Sequence, residues 1–174
     1  MGNNEAKITT FSSICTILLR EVRMERGIHQ AQLADWLGKT PSAWTKVEAG
    51  KSPLSLDAFF RVCNAMQVMP SAVMATAERY TTLFGNTFNQ ERWVVLFPET
   101  GSVEKDDLLI AAQEYWASPE GRNQQVNRMG FSSILNGPIG PDGTIIVAPV
   151  FQFALDPSFR EFCQQSRQLS TTQA

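Results

Sequence analysis

Side chains able to do covalent chemistry are sparse in this sequence. Its one histidine is His29, and its cysteines, Cys15, Cys63 and Cys163, lie far apart with no C-x-x-C spacing. That set is too small for a structural zinc site, which gathers N and S ligands at short spacing. Reduced thiols serving as small apolar side chains are the favoured reading, ahead of one bridge and a spare. No histidine follows His29, which excludes a Ser-His-Asp triad from the back half. Glu104, Asp106 and Asp107 stand in "EKDD" at the start of a predicted helix, where acids serve as partners of the helix dipole. No nucleophile and base are paired, so neither an enzyme nor a metal or other cofactor is expected. The chemistry left is that of recognition. In "KTPSAWTKVEAG" the side chains of Ser42, Thr45 and Lys46 fall on one side of a predicted helix, with Pro41 and Ala49. Trp44, Val47 and Glu48 fall on the other. A solvated polar face is the plain alternative.

The elements that position this face can be read from periodicity and punctuation. A first helix is predicted over 11–26, with Ile14, Cys15, Leu18, Leu19 and Val22 inward, and Gly27 after it. A second is "QAQLADWL", stopped by Gly38. Thr40 is the expected N-cap of a third, with Pro41 in its first turn and Gly50 past its end. A fourth is expected over 55–66 and a fifth for about four turns from Pro70. "GNTFNQ", 85–90, has the composition of a linker. Beyond it, "RWVVLF" is a predicted strand and "SVEKDDLLIAAQEYWA" a helix. "FSSIL" and "TIIVAPVFQFAL" are predicted strands about the turn "NGPIGPDG", and "DPSFREFCQQSRQL" a final helix.

Residues 15–75 together resemble the Cro/repressor-type, or lambda-repressor-like, XRE helix-turn-helix family. The features in register are Arg23, Gly27-Ile28, Gln30, Leu33-Ala34, Gly38, Glu48, Gly50, Met66-x-Val68 and Val73-Met74. Two positions depart from the family. Lys39 stands where a β-branched apolar residue is usual, and Trp44 where Ile or Val is buried; the tilt of the third helix is what they bear on. The resemblance implies that the third helix enters the major groove of double-stranded DNA, with Pro41, Ser42, Thr45 and Lys46 at base edges. Lys46 can donate to guanine O6 or N7, the hydroxyls can donate or accept, and the Pro41 ring can touch a thymine methyl. Gln30, Thr40, Lys51 and Ser52 are the expected phosphate contacts, Gln30 beside free backbone N–H groups. His29 is read as a cap or surface residue. The resemblance also implies that Glu48 turns inward to pair with Arg23, as scaffold rather than reader. Some relatives carry a Ser-Lys peptidase, but Lys105 is the only lysine after Lys51 and no serine context accompanies it.

The expected fold class is α+β: an all-α five-helix domain over 1–84, the linker, a small α+β domain over 88–169 and a frayed tail over 170–174. The net charge of −2 is unevenly spread, with eight Lys/Arg against six Asp/Glu in residues 1–70 and seven against eleven thereafter. Nucleic acid would therefore meet a local patch rather than a global field. No apolar run reaches the roughly 20 residues needed to span a bilayer. "MGNNEAKITTF" has no signal-peptide pattern, and Ala6 takes the place where Gly2 myristoylation favours Ser or Thr, so a cytoplasmic address is expected. The functional expectation is a sequence-specific transcriptional regulator, a homodimeric repressor. Its back half dimerises or senses a small-molecule or protein effector. The rivals are an antitoxin-like regulator whose back half holds a protein partner, and an enzyme targeted to DNA.

Overall fold

The computed structural model describes residues 5–86, 90–99, 103–126 and 132–171. Strand β1 (Lys7–Thr10) precedes five helices: α1 (Phe11–Glu25), α2 (Gln30–Trp36), α3 (Pro41–Glu48), α4 (Leu56–Ala65) and α5 (Pro70–Phe84). Strand β2 (Trp93–Leu96) follows, then α6 (Asp107–Ala117), α7 (Pro119–Val126), a 3-10 turn at Ile134–Asn136, α8 (Pro149–Leu155) and α9 (Pro157–Thr171). The class is α+β, a helical front half followed by a mixed back half.

Three of the five front helices start on side-chain caps. Thr10, Thr40 and Ser55 accept hydrogen bonds from the backbone N–H groups of Ser13, Ala43 and Ala58, each three residues on. The linkage to the back half was not visible in the sequence. β1 pairs in parallel with β2, Lys7 opposite Trp93 and Thr10 opposite Leu96. Asp106 caps α6 at Leu108 and Leu109 and also accepts from Thr9 Oγ1 at 2.9 Å and Ser13 Oγ at 2.6 Å. Asp107 Oδ2 accepts from the Ile8 N–H at 2.8 Å. Two acids expected to be solvated dipole partners therefore also latch α6 onto β1 and the start of α1.

The expected strand over 144–155 is corrected by the structure. Pro149 opens α8 instead, and Val150, Phe151, Phe153, Ala154 and Leu155 are all buried. With Gln152 the one polar side chain of this helix, the run offers too little period to tell helix from strand. Within "FSSIL", Ile134 and Leu135 belong to the 3-10 turn, and Ile139 and Ile145 make only an isolated antiparallel bridge. Phe131, residues 87–89 of the expected linker and residues 172–174 of the expected tail lie outside the described residues.

One continuous hydrophobic cluster runs through both halves. Tyr80 of α5 packs on Phe151 of α8 with ring centroids 4.1 Å apart, and Phe84 meets Trp93 of β2 edge-on at 5.0 Å. Aromatic pairs at these separations add about 0.5–1.5 kcal/mol each beyond the area they bury.

Candidate nucleic-acid interface

The local chain explains why α3 stands as a separate rod. Gly38 takes φ +65° in the turn before it and Gly50 takes φ +71° after it, a region that L side chains other than glycine visit at a cost. Past Glu48 the chain folds back, with the N–H groups of Lys51 and Ser52 both donating to the Lys46 carbonyl. Between these stops the two faces separate fully. Trp44, Val47 and Glu48 are buried, whereas Pro41, Ser42, Ala43, Thr45 and Lys46 are exposed.

The buried face is organised around the Glu48 carboxylate, which is only 2% exposed. Arg23 of α1 donates to it through Nε at 2.6 Å and through Nη2 at 3.1 Å, while its Nη1 donates to the Ile28 carbonyl at 2.7 Å. The Trp44 indole donates to Glu48 Oε1 at 2.9 Å, and the Gln30 amide donates to Oε2. A buried carboxylate is costly unless its acceptor sites are filled, and four donors fill them here. The tryptophan that departs from the family pattern thus brings a donor to the ion pair. Trp44 and Glu48 are one helical turn apart, so their shared face was legible in the sequence. The convergence of Gln30 on the same carboxylate was not.

Gln30 also accepts from Thr45 Oγ1 at 3.2 Å, and that hydroxyl lies 2.8 Å from the Pro41 carbonyl. The structure therefore connects the buried pair, through Gln30, to a side chain on the exposed face. Thr40 accepts from the Ala43 N–H at 3.2 Å, which leaves its own hydroxyl proton unused by that bond. Lys46 and Lys51 are exposed and Ser52 half-buried, and Lys39 and His29 are also exposed. Among the described residues, no ion pair involves Lys39, Lys46 or Lys51. His29 precedes α2 in extended conformation and makes no side-chain cap bond, which leaves it a surface residue.

The back half braces this unit from behind, a contact with no sequence signal. Leu109 of α6 lies so close to Gly50 that a Cβ there would stand 2.3 Å from its Cδ1. Trp116 of α6 donates to Glu21 Oε1 at 2.7 Å, and the Arg20 guanidinium lies 3.7 Å from its ring centroid. Burial holds the Arg20 pKa below its usual value. The cysteines are free and buried, and burial pushes Cys15 up to about 12 and Cys63 and Cys163 up to about 11. Such thiols stay protonated and unreactive at neutral pH. Among the described residues no helix is long and apolar enough to cross a membrane.

A family model described as a helix-turn-helix domain matches residues 16–76, the span from within α1 to within α5. No curated protein matches the chain, and no solved structure does. The match supports a DNA-binding regulator in general and points away from an enzyme, at the segment where the exposed face of α3 lies.

Proposed function

We propose that this chain, whose residues 16–76 form a helix-turn-helix domain, is a sequence-specific transcriptional regulator acting in the cytoplasm as a homodimeric repressor. The observation that carries this reading is the division of α3. One face is locked to α1 through Glu48 and Arg23, and the other offers hydroxyls and one cation to solvent. A helix of that kind fits the major groove. In this reading Lys46 donates to guanine, Ser42 and Thr45 contact neighbouring bases, and Pro41 touches a thymine methyl. Thr40, Lys51 and Ser52 hold phosphates. Gln30, with one amide hydrogen on Glu48, keeps the second for a phosphate. One helix reads only a few base pairs, so two copies act on a repeated half-site. Selection of duplexes from a random pool by the purified protein tests this. A repeated, spaced half-site is the expected result, and a pool left without any enriched sequence overturns it.

A second reading is favoured by the back-half surface. Phe97 is 74% exposed, and Ile139, Ile145 and Ile146 are exposed together around the 140–143 turn. An antitoxin-like regulator would cover such residues with a protein partner. Recovery of the purified chain with a stoichiometric small protein selects that reading, and recovery as a homodimer alone selects the first.

A further inference from the structure

A cleft of about 610 Å³ lies where the back half meets α1 and α5, within the size range of small-molecule sites. Val22 of α1, Tyr80 of α5, Tyr115 of α6 and the back-half residues Ile134, Val147 and Val150 line it, so its wall is mostly apolar. Against that wall stand two carboxylates one helical turn apart, Glu21 and Glu25. Glu25 Oε1 accepts from the Ile134 N–H at 2.7 Å, and its Oε2 accepts from Ser133 Oγ at 2.8 Å. Both donors are neutral, and an ionised carboxylate has about four acceptor sites, so Glu25 can take a charged donor as well. Arg26 also lines the cleft but is exposed, so of the charged side chains lining it the less exposed two are acidic.

We propose that this cleft binds a small organic cation, an amine or guanidinium on an apolar or aromatic body, and that its occupancy sets the affinity for DNA. The apolar wall takes the body and Glu25 takes the charge. The coupling follows from the positions on α1. Glu25 holds the turn at Ser133 and Ile134, while Arg23, two residues earlier, holds Glu48 of α3. A ligand that draws the Glu25 carboxylate toward itself changes how the end of α1 is held, and α3 is bonded to that end. The binding step stands on the cleft alone; the regulatory step rests on the DNA-binding reading above.

Calorimetry on the full chain without DNA tests the site, using phenethylamine, phenethyl alcohol and hydrocinnamate as probes of similar shape and different charge. Saturable binding of the amine, with the alcohol and the acid at least about tenfold weaker, is the expected result. Glu25→Gln keeps an acceptor for the Ile134 N–H and can donate its amide to the Ser133 hydroxyl, and it is expected to weaken the amine about tenfold. Should that variant melt at lower temperature, Val147→Lys carries the test, because a fixed cation in the cleft is expected to abolish amine binding. No saturable binding at millimolar amine, or equal binding of all three probes, overturns the site. A selected duplex is then titrated with and without saturating amine. A shifted affinity supports regulation, and an unchanged affinity overturns it while leaving the calorimetric result intact.

Discussion

Lys46 and Lys51 are both exposed lysines five residues apart, yet the proposed geometry gives them opposite signatures. Lys46→Ala is expected to cost about 1–3 kcal/mol on the selected sequence and to relax preference at one base position per half-site. Lys51→Ala is expected to weaken all sequences alike and to lower the salt slope by about 1. Titrations on selected and random duplexes at several salt concentrations separate the two. Equal losses on both duplexes for Lys46→Ala would remove it from base reading. Glu48→Ala acts differently, since it leaves the Arg23 guanidinium, the Trp44 indole and the Gln30 amide without their acceptor. Breaking a buried pair costs about 3–5 kcal/mol, a large share of the stability of a small domain. A lower melting temperature in thermal or urea unfolding is the expected outcome, and an unchanged one would mean that the pair contributes little.

At the scale of elements, α6 and the end of α3 share one contact that can be dissected. Gly50→Ala meets two separate costs, the left-handed backbone at φ +71° and the Leu109 methyl 2.3 Å from the new Cβ. The first is about 1–2 kcal/mol for a residue with a Cβ. Leu109→Ala removes the second and leaves the first. The double variant is therefore expected to be less destabilised than the sum of the single ones, read as a coupling energy from denaturant melts. Strict additivity would show that Leu109 moves aside freely and does not brace α3.

The whole molecule shares one core between its halves, through the Tyr80–Phe151 and Phe84–Trp93 contacts and the β1–β2 pairing. The full chain is accordingly expected to unfold in a single transition by far- and near-ultraviolet dichroism. A fragment of residues 1–84 is expected to melt well below it, because truncation strips cover from Tyr80 and Phe84. Two resolved transitions in the full chain would show that the halves are independent. The buried thiols add a pH dependence. Folding raises Cys15 from an ordinary 9.0 to about 12, so the folded state favours the protonated form. That contribution is present below about pH 9 and is lost as pH rises toward 12, because the unfolded thiol ionises first. Denaturant midpoints should fall across that window, and by less in a Cys15→Ala variant compared with its own neutral-pH value.

Local rules were enough for the five front helices. Glycines at the stops, Thr40 and Ser55 as caps and i, i+3, i+4 apolar spacing act over a few residues, and those few residues are adjacent in the chain. The same locality made the two faces of α3 legible, since a single turn brings Trp44 beside Glu48. What lay beyond the sequence is what depends on residues far apart. Residues 7–10 are too few to mark a strand by themselves, and they form one where residues 93–96 lie alongside them. The segment at 149–155 buries five of its seven residues, with Gln152 its one polar side chain, so little period shows and its packing makes it a helix. Leu109 against Gly50, Trp116 against Arg20 and the acid-walled cleft beside α1 join residues about 60 to 110 positions apart. Contacts that distant leave no periodic trace, because only the tertiary arrangement brings their partners together.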